Sequence, residues 1–378
     1  MKWKQIKNKI EWKGFTIFGT GFWAEIWYQR LGILGYKPLF FVDNNSTFWN
    51  EEIIDSVVCI PPNKIRELAG DRICLVCVSD KFASEIESQL EDEAIDYILM
   101  KDELAEEYDF ICDYFNMTIP LYNEQPHSDA IANDLDMNQR IAVYTAIFGD
   151  YDELMQPKVI DSQCDYFCIS DKEPKNIGIF KWIPLEVICD ELIGNSALKN
   201  RYCKMLPHRI FPQYKYSIYV DGNIMIDYKL NHLLNKLGGR AMGFFDHINC
   251  NELYVEAFRF SDQYIAIENV DLIKKQVLEY CAVGFPFGFG FVENGVIIRE
   301  HNVPSCISVM ENWWLEYQKY TTRDQISFMY AVWKSGLSKN DIAIMGKNWR
   351  ESEEFSYVNH KNQYQRVHRF FDKNNTQG

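Results

Sequence analysis

A run of aromatic and β-branched residues from Tyr216 to Val220 ends in Asp221-Gly222-Asn223. Such a run predicts a buried strand. The turn after it sets a carboxylate and an amide oxygen two residues apart at the strand end. Two such oxygens can converge on one hard divalent cation, Mn2+ or Mg2+. A cation held there can bridge a diphosphate and neutralise it as it leaves. Asp-Gly and Gly-Asn are also common hairpin pairs, so the turn alone leaves both readings open.

Other residues of suitable type surround this turn in the predicted elements. The run 140–148 reads as a strand entering a Gly149-Asp150 turn. Pockets of open α/β sheets lie beyond strand carboxyl ends. Thr145, Phe148, Asp150 and Asp152 are therefore the expected wall of a nucleotide pocket. Asp150 or Asp152 would accept from base or ribose, and each is equally an ordinary turn aspartate. Arg201 and Lys204 lie three apart on a helix predicted over 196–206, hence on one face. They can reach a phosphate, where fixed cations act most strongly, or form a surface salt-bridge face. Glu256 and Asp324 are candidate catalytic carboxylates, with Gln325 beside the second. Asp324 opens a predicted helix, where the dipole favours its anion. Capping is its competing role, and Thr322 is the expected cap. Glycines at 284, 288 and 290 could hinge a lid, or the Phe/Gly segment 284–291 packs as an aromatic loop. Trp313 and Trp314 stack on a sugar or belong to the core.

The chain before these elements reads as a separate α/β unit over 12–117. Strands predicted at 15–18, 37–42, 57–60, 73–78 and 95–99 alternate with helical patterns, as in a parallel Rossmann-like sheet. Gly19-Thr20-Gly21 and Ala24 form G-x-G-x-x-A at a strand-to-helix turn, with Asp43 about twenty residues on. Gly19, Gly21 and Asp43 are thus candidate nucleotide-binding residues, or the glycines serve tight packing alone. The segment 118–138 reads as a linker. The second unit runs over 139–347, and 348–378 reads as a polar, basic tail.

Composition narrows the class. The 378 residues suffice for two or three domains, and 47% hydrophobic with 25% charged content is globular. A net charge of −15 lacks the basic footprint of a nucleic-acid binder. The Lys-rich start, 1–13, and the tail with Lys361, Arg366 and Arg369 are expected to be solvated ends; docking on an anionic membrane is the alternative. The 11 cysteines, an odd number scattered through apolar runs, fit reduced thiols of a cytosolic protein. Cys74 and Cys77 have C-x-x-C spacing but no second pair to complete a zinc site. No signal peptide or membrane-spanning run is read.

Four motifs stand together in order: 141–152 (IAVYTAIFGDYD), 204–208 (KMLPH), 219–223 (YVDGN) and 323–327 (RDQIS). This combination resembles the glycosyltransferase-like family that includes plant mucilage-associated and bacterial surface-polysaccharide proteins. The first unit resembles small Rossmann-like domains fused to sugar-modifying enzymes. The resemblance implies an α/β chain: an N-terminal Rossmann-like parallel sheet domain plus a C-terminal GT-A-type mixed α/β domain. It implies a metal-dependent transferase of bacterial capsule or lipopolysaccharide synthesis, cytoplasmic, with peripheral association with the inner membrane as the alternative. The donor would be a nucleotide sugar, a UDP-sugar first, and the acceptor a glycan or lipid-linked glycan. It brings Lys204 into the phosphate site and Asp221 and Asn223 to the metal, with Asn223 departing from a full D-x-D. A distant histidine often completes the metal set, here His301 or, second, His247. Asp324 would touch donor or acceptor sugar. Nucleotidyl transfer and a non-catalytic nucleotide-sugar scaffold are the competing functions.

Overall fold

The computed structural model describes residues 1–124, 139–149, 151–187, 195–248, 250–263, 270–320 and 323–359. The chain divides into two compact units, one of 1–118 with 258–267 and one of 119–257 with 268–365.

The first unit contains α1 (Trp3–Lys13), β1 (Phe15–Phe18), α2 (Phe22–Ile33), β2 (Phe41–Val42), β3 (Glu52–Ile54), β4 (Val57–Ile60), α3 (Ile65–Ala69), β5 (Ile73–Val76), α4 (Asp80–Asp92), β6 (Tyr97–Leu99) and α5 (Tyr108–Phe115). Its sheet order is β3-β4-β2-β1-β5-β6, and all pairs but β3–β4 are parallel. The five parallel strands thus run in the order 3-2-1-4-5 by chain position, the Rossmann arrangement. The two central strands, β1 and β5, are buried at all four positions, as parallel strands under helices must be. The Lys-rich start is not a loose end. It is the amphipathic helix α1, with Trp3, Ile6 and Ile10 buried and Lys7 paired to Asp113 at 2.9 Å. The 3.6-residue spacing of those three apolar side chains outweighs the basic composition.

The second unit contains β7 (Ile141–Ile147), β8 (Cys164–Ser170), β9 (Lys181–Pro184), α6 (Ser196–Met205), α7 (Pro207–Ile210), β10 (Tyr216–Val220), β11 (Ile224–Ile226), β12 (Met242–Asp246), α8 (Leu253–Gln263, its later half grouped with the first unit), α9 (Val270–Ala282), β13 (Val292–Arg299), α10 (Pro304–Lys319), α11 (Asp324–Lys334), β14 (Ile342–Ile344) and β15 (Phe355–Tyr357). A seven-stranded mixed sheet has the order β14-β12-β13-β10-β7-β8-β9. Only β13 runs antiparallel to its neighbours. The carboxyl ends of β7, β8, β10 and β12 therefore share one edge with the start of β13, and this edge positions the site.

Strand alternation sends Tyr216, Ile218 and Val220 into a core with Val143, Val296 and Trp349. Tyr219 and Asp221 take the opposite face. The segment expected as a tail is part of this unit as far as 359. Trp349 is 2% exposed, β15 pairs with β11, and Val358 N–H donates to the Asn223 carbonyl at 3.0 Å. The polar spacing of 348–359 concealed two buried aromatics, Trp349 and Phe355. Trp349→Ala is expected to cost about 3–5 kcal/mol. Urea unfolding monitored by far-UV dichroism would show it, and an unshifted midpoint would place Trp349 outside the core.

The Phe/Gly segment is packed, not a hinged lid: Phe285, Phe289 and Phe291 are at most 2% exposed. Trp313 and Trp314 are core residues as well. Among the described residues the ten cysteines are free thiols, and no helix is long and apolar enough to cross a membrane. Cys189, Thr322 and the basic residues beyond 359 lie outside the described residues.

Candidate active site at the carboxyl edge of the mixed sheet

Asp221 follows the last residue of β10, and its carboxylate is held by its own neighbours. Tyr219 Oη donates to Asp221 Oδ1 at 2.8 Å, and Lys204 Nζ stands 3.5 Å from the same oxygen. Oδ2 makes no hydrogen bond among the described residues, and the side chain is 30% exposed. Burial first, then the Asp221 carboxylate, push the Tyr219 hydroxyl well above its ordinary range, so it stays a donor.

Lys204 comes from the last turn of α6 and is itself buried. Its Nζ lies 2.9 Å from Asp324 Oδ2 and 5.3 Å from the Tyr219 ring centre. Arg201, one turn earlier, reaches the same Asp324 oxygen at 3.3 Å. The three-residue spacing thus does put both cations on one face. Asn200 Nδ2 donates to the Ala146 carbonyl at 2.6 Å and tethers α6 to β7. Asn195 starts the helix, with its Oδ1 accepting from Ala197 N–H at 2.8 Å.

Asp324 begins α11. Trp313 Nε1 donates to the Asp324 carbonyl at 2.9 Å and fixes this first turn. Burial pushes the Asp324 carboxyl up, but Arg201 and Lys204 outweigh it and hold the group well below the usual carboxylate range. Next to it, Arg323 Nη2 donates to Glu256 Oε1 of α8 at 2.8 Å. A chain of alternating charge therefore runs Asp221, Lys204, Asp324 with Arg201, then Arg323 and Glu256. Gln325 does not join it: its Nε2 donates to the Val292 carbonyl, tying α11 to β13.

On the other face of the sheet, a small, partly open cavity of about 20 Å³ lies under the Asp221-Gly222 turn. Thr145, Ile147, Leu154, Phe180, Val220 and Ile224 are among its walls. Among the described residues, Thr145 Oγ1 is buried without a hydrogen-bond partner. Asp152 meets the turn as well: a β-carbon on Gly222 would stand 3.2 Å from Asp152 Oδ2. Phe148 is 3% exposed and belongs to the packing behind the cavity rather than its wall. Asp150 lies outside the described residues.

His301 stands away from the Asp221 turn and does not join it. Asp221 N–H bonds to the Gly295 carbonyl, and β13 then runs back to the amino edge before His301. Six residues at about 3.3 Å each place His301 roughly 20 Å from the turn. It is 0% exposed, with Nε2 donating to the Phe211 carbonyl at 3.0 Å. Reading along the chain could not reveal that β13 reverses. His247, following β12, is the histidine at the carboxyl edge, two strands or about 10 Å across from β10; its ring packs on Phe291. Among the described residues no group of three His, Cys, Asp or Glu side chains is placed to hold a metal. Asp221 Oδ2 is the carboxylate oxygen left open at this edge.

Burial, chiefly, lowers the His301 pKa to about 4. Its folded value lies below the unfolded one, so the unfolded chain binds more protons between about pH 6.5 and 4. The associated stability is present above pH 6.5 and disappears as pH falls through 4, about 3 kcal/mol in all. Comparing urea midpoints of wild type and His301→Gln at pH 7.5 and 4.5 isolates it. Equal pH slopes would refute a neutral buried imidazole.

In the first unit, Gly19 (φ 113°) is needed for packing, since a β-carbon there would meet the Cys77 carbonyl at 2.8 Å. Gly21 has open space around it at the start of α2. Asp43 braces the turn: Oδ2 accepts from Thr20 Oγ1 and Oδ1 from Asn45 N–H, both at 2.8 Å.

A mixed α/β sheet covered by helices is the architecture expected of a glycosyltransferase-like chain. The chain belongs to the TOD1/MUCI70, glycosyltransferase-like domain family, which it matches over residues 105–360. It is 25% identical over 230 residues to a probable hexosyltransferase MUCI70 of Arabidopsis thaliana, covering 52% of this chain and 38% of that protein. It is 26% identical over 227 residues to the alkaline ceramidase TOD1 of the same plant, covering 50% and 48%. The chain thus spans less than half the length of these curated relatives. Mouse xyloside xylosyltransferase 1 in its apo form aligns at a TM-score of 0.34 and 10% identity, over 54% of this chain and 84% of that one. Family membership rests on the sequence match.

Proposed function

We propose that the second unit, as a GT-A-type enzyme, transfers a sugar, a hexose first, from a uridine diphosphate donor to a glycan or lipid-linked acceptor. The observation that carries this is the convergence of Asp221, Lys204, Arg201 and Asp324 on one face of the sheet's carboxyl edge. Base and ribose are assigned to the sheet edge beside Asp152 and Leu154, above the small cavity under the turn. Tyr219 and Lys204 turn Asp221 so that Oδ2 stays open. Asp221 and Asn223 would hold a Mn2+ or Mg2+ that arrives with the donor and offsets diphosphate charge. Lys204 and Arg201 add fixed positive charge where the leaving group develops its negative charge. Asp324, kept ionised by two cations, is a weak proton acceptor at neutral pH and serves to orient a sugar hydroxyl. Glu256, reached through Arg323, is the carboxylate left for the acceptor side. A bacterial surface polysaccharide is the proposed product, made on the cytoplasmic side.

The test is nucleotide release from a panel of UDP-sugars with Mn2+ or with chelator. Diphosphate release that needs the cation supports the proposal and names the donor. Monophosphate plus pyrophosphate would indicate nucleotidyl transfer instead, and neither donor binding nor turnover would leave a scaffold.

A further inference from the structure

Arg299 lies at the end of β13, is 0% exposed, and has no carboxylate partner among the described residues. Its Nη1 donates to the Lys204 carbonyl at 2.8 Å and approaches Met310 Sδ at 3.3 Å. Its Nη2 donates to Tyr144 Oη at 2.6 Å. That hydroxyl is in turn within reach of the Cys203 and Lys204 carbonyls, at 3.2 and 3.3 Å. Burial, first, raises the Tyr144 pKa, so the hydroxyl keeps its proton. An unpaired buried guanidinium is unfavourable for stability, and an apolar residue of similar size would serve a core better. What Arg299 does here is specific to one place. The last carbonyls of a helix lack intrahelical partners, and a cation beside them also meets the negative end of the helix dipole.

We propose that Arg299, with Tyr144, is a positioning residue that acts through Lys204. Two strands clamp the final turn of α6 through Lys204's own carbonyl. That clamp holds the Lys204 ammonium between Asp324 and Asp221. The functional consequence rests on the donor reading above, while the clamp itself can be tested without any donor.

The experiment is lysine labelling followed by mass spectrometry on wild type, Arg299→Lys and Tyr144→Phe, with UDP binding measured by calorimetry on the same samples. Arg299→Lys keeps a charge but loses the fork. We expect labelling at Lys204 to rise about fivefold or more in Arg299→Lys, and less in Tyr144→Phe, with other lysines unchanged. UDP affinity should fall about tenfold in Arg299→Lys. It should change less than about twofold when Arg299→Lys is added to Lys204→Met, since the effect passes through the missing side chain. Unchanged Lys204 labelling in both single variants would overturn the proposal, as would a full tenfold loss on the Lys204→Met background. A wild type that binds no UDP would instead overturn the donor reading, and the labelling result would still decide the clamp.

Discussion

Lys204→Met is expected to lower sugar-nucleotide turnover by about 100- to 1,000-fold, the usual effect of removing one preorganised group that stabilises developing charge. The side chain is buried and stands between two carboxylates, 2.9 Å from Asp324 and 3.5 Å from Asp221. Methionine fills nearly the same volume without the ammonium, so the fold should persist. Removing one partner of a buried ion pair costs about 3–5 kcal/mol when a charge is left alone. Arg201 remains 3.3 Å from Asp324, so the stability loss should fall at the low end, about 3 kcal/mol. Nucleotide release and a urea midpoint on the same preparation separate the two effects. Turnover within a few-fold of wild type would remove Lys204 from the chemistry.

Asp221→Asn is expected to cost about as much turnover, roughly 100- to 1,000-fold, with little loss of stability. Its shape is unchanged, and the amide oxygen can still accept from Tyr219. What disappears is the negative charge at the open Oδ2 position. The dependence of nucleotide release on added Mn2+ should flatten in this variant. A Mn2+ titration with the wild-type midpoint in Asp221→Asn would show that this carboxylate does not meet the cation.

The two predictions also show how unevenly the site could be read along the chain. Arg201 and Lys204 were legible because helix periodicity is local: three residues apart means one face. Asp324 was legible as a carboxylate at a helix start. The roles of Tyr219, Asn200 and Arg299, which orient or tether the others, are not legible in this way. They sit in apolar strands or beside charged residues, where a single polar group carries no spacing signal. Phe148 and Gln325 were near the site in sequence but turned into packing and strand tethering.

The amino-acid sequence by itself determined most of the elements and the family. Its apolar periods set strands and helices, its Gly-x-Gly turn announced a Rossmann-like first unit, and its ordered motifs carried the glycosyltransferase-like resemblance. Tertiary structure decided which candidates meet. The reversal of β13 carried His301 to the opposite sheet edge and left His247 on the near one. Return of the chain end as β15 converted an apparent tail into support for the Asp221 turn. The physical reason is range. Periodicity and capping act within a few residues, whereas Asp221, Lys204 and Asp324 become neighbours only when distant strands and helices pack on one sheet. No local rule specifies the direction in which β13 crosses that sheet.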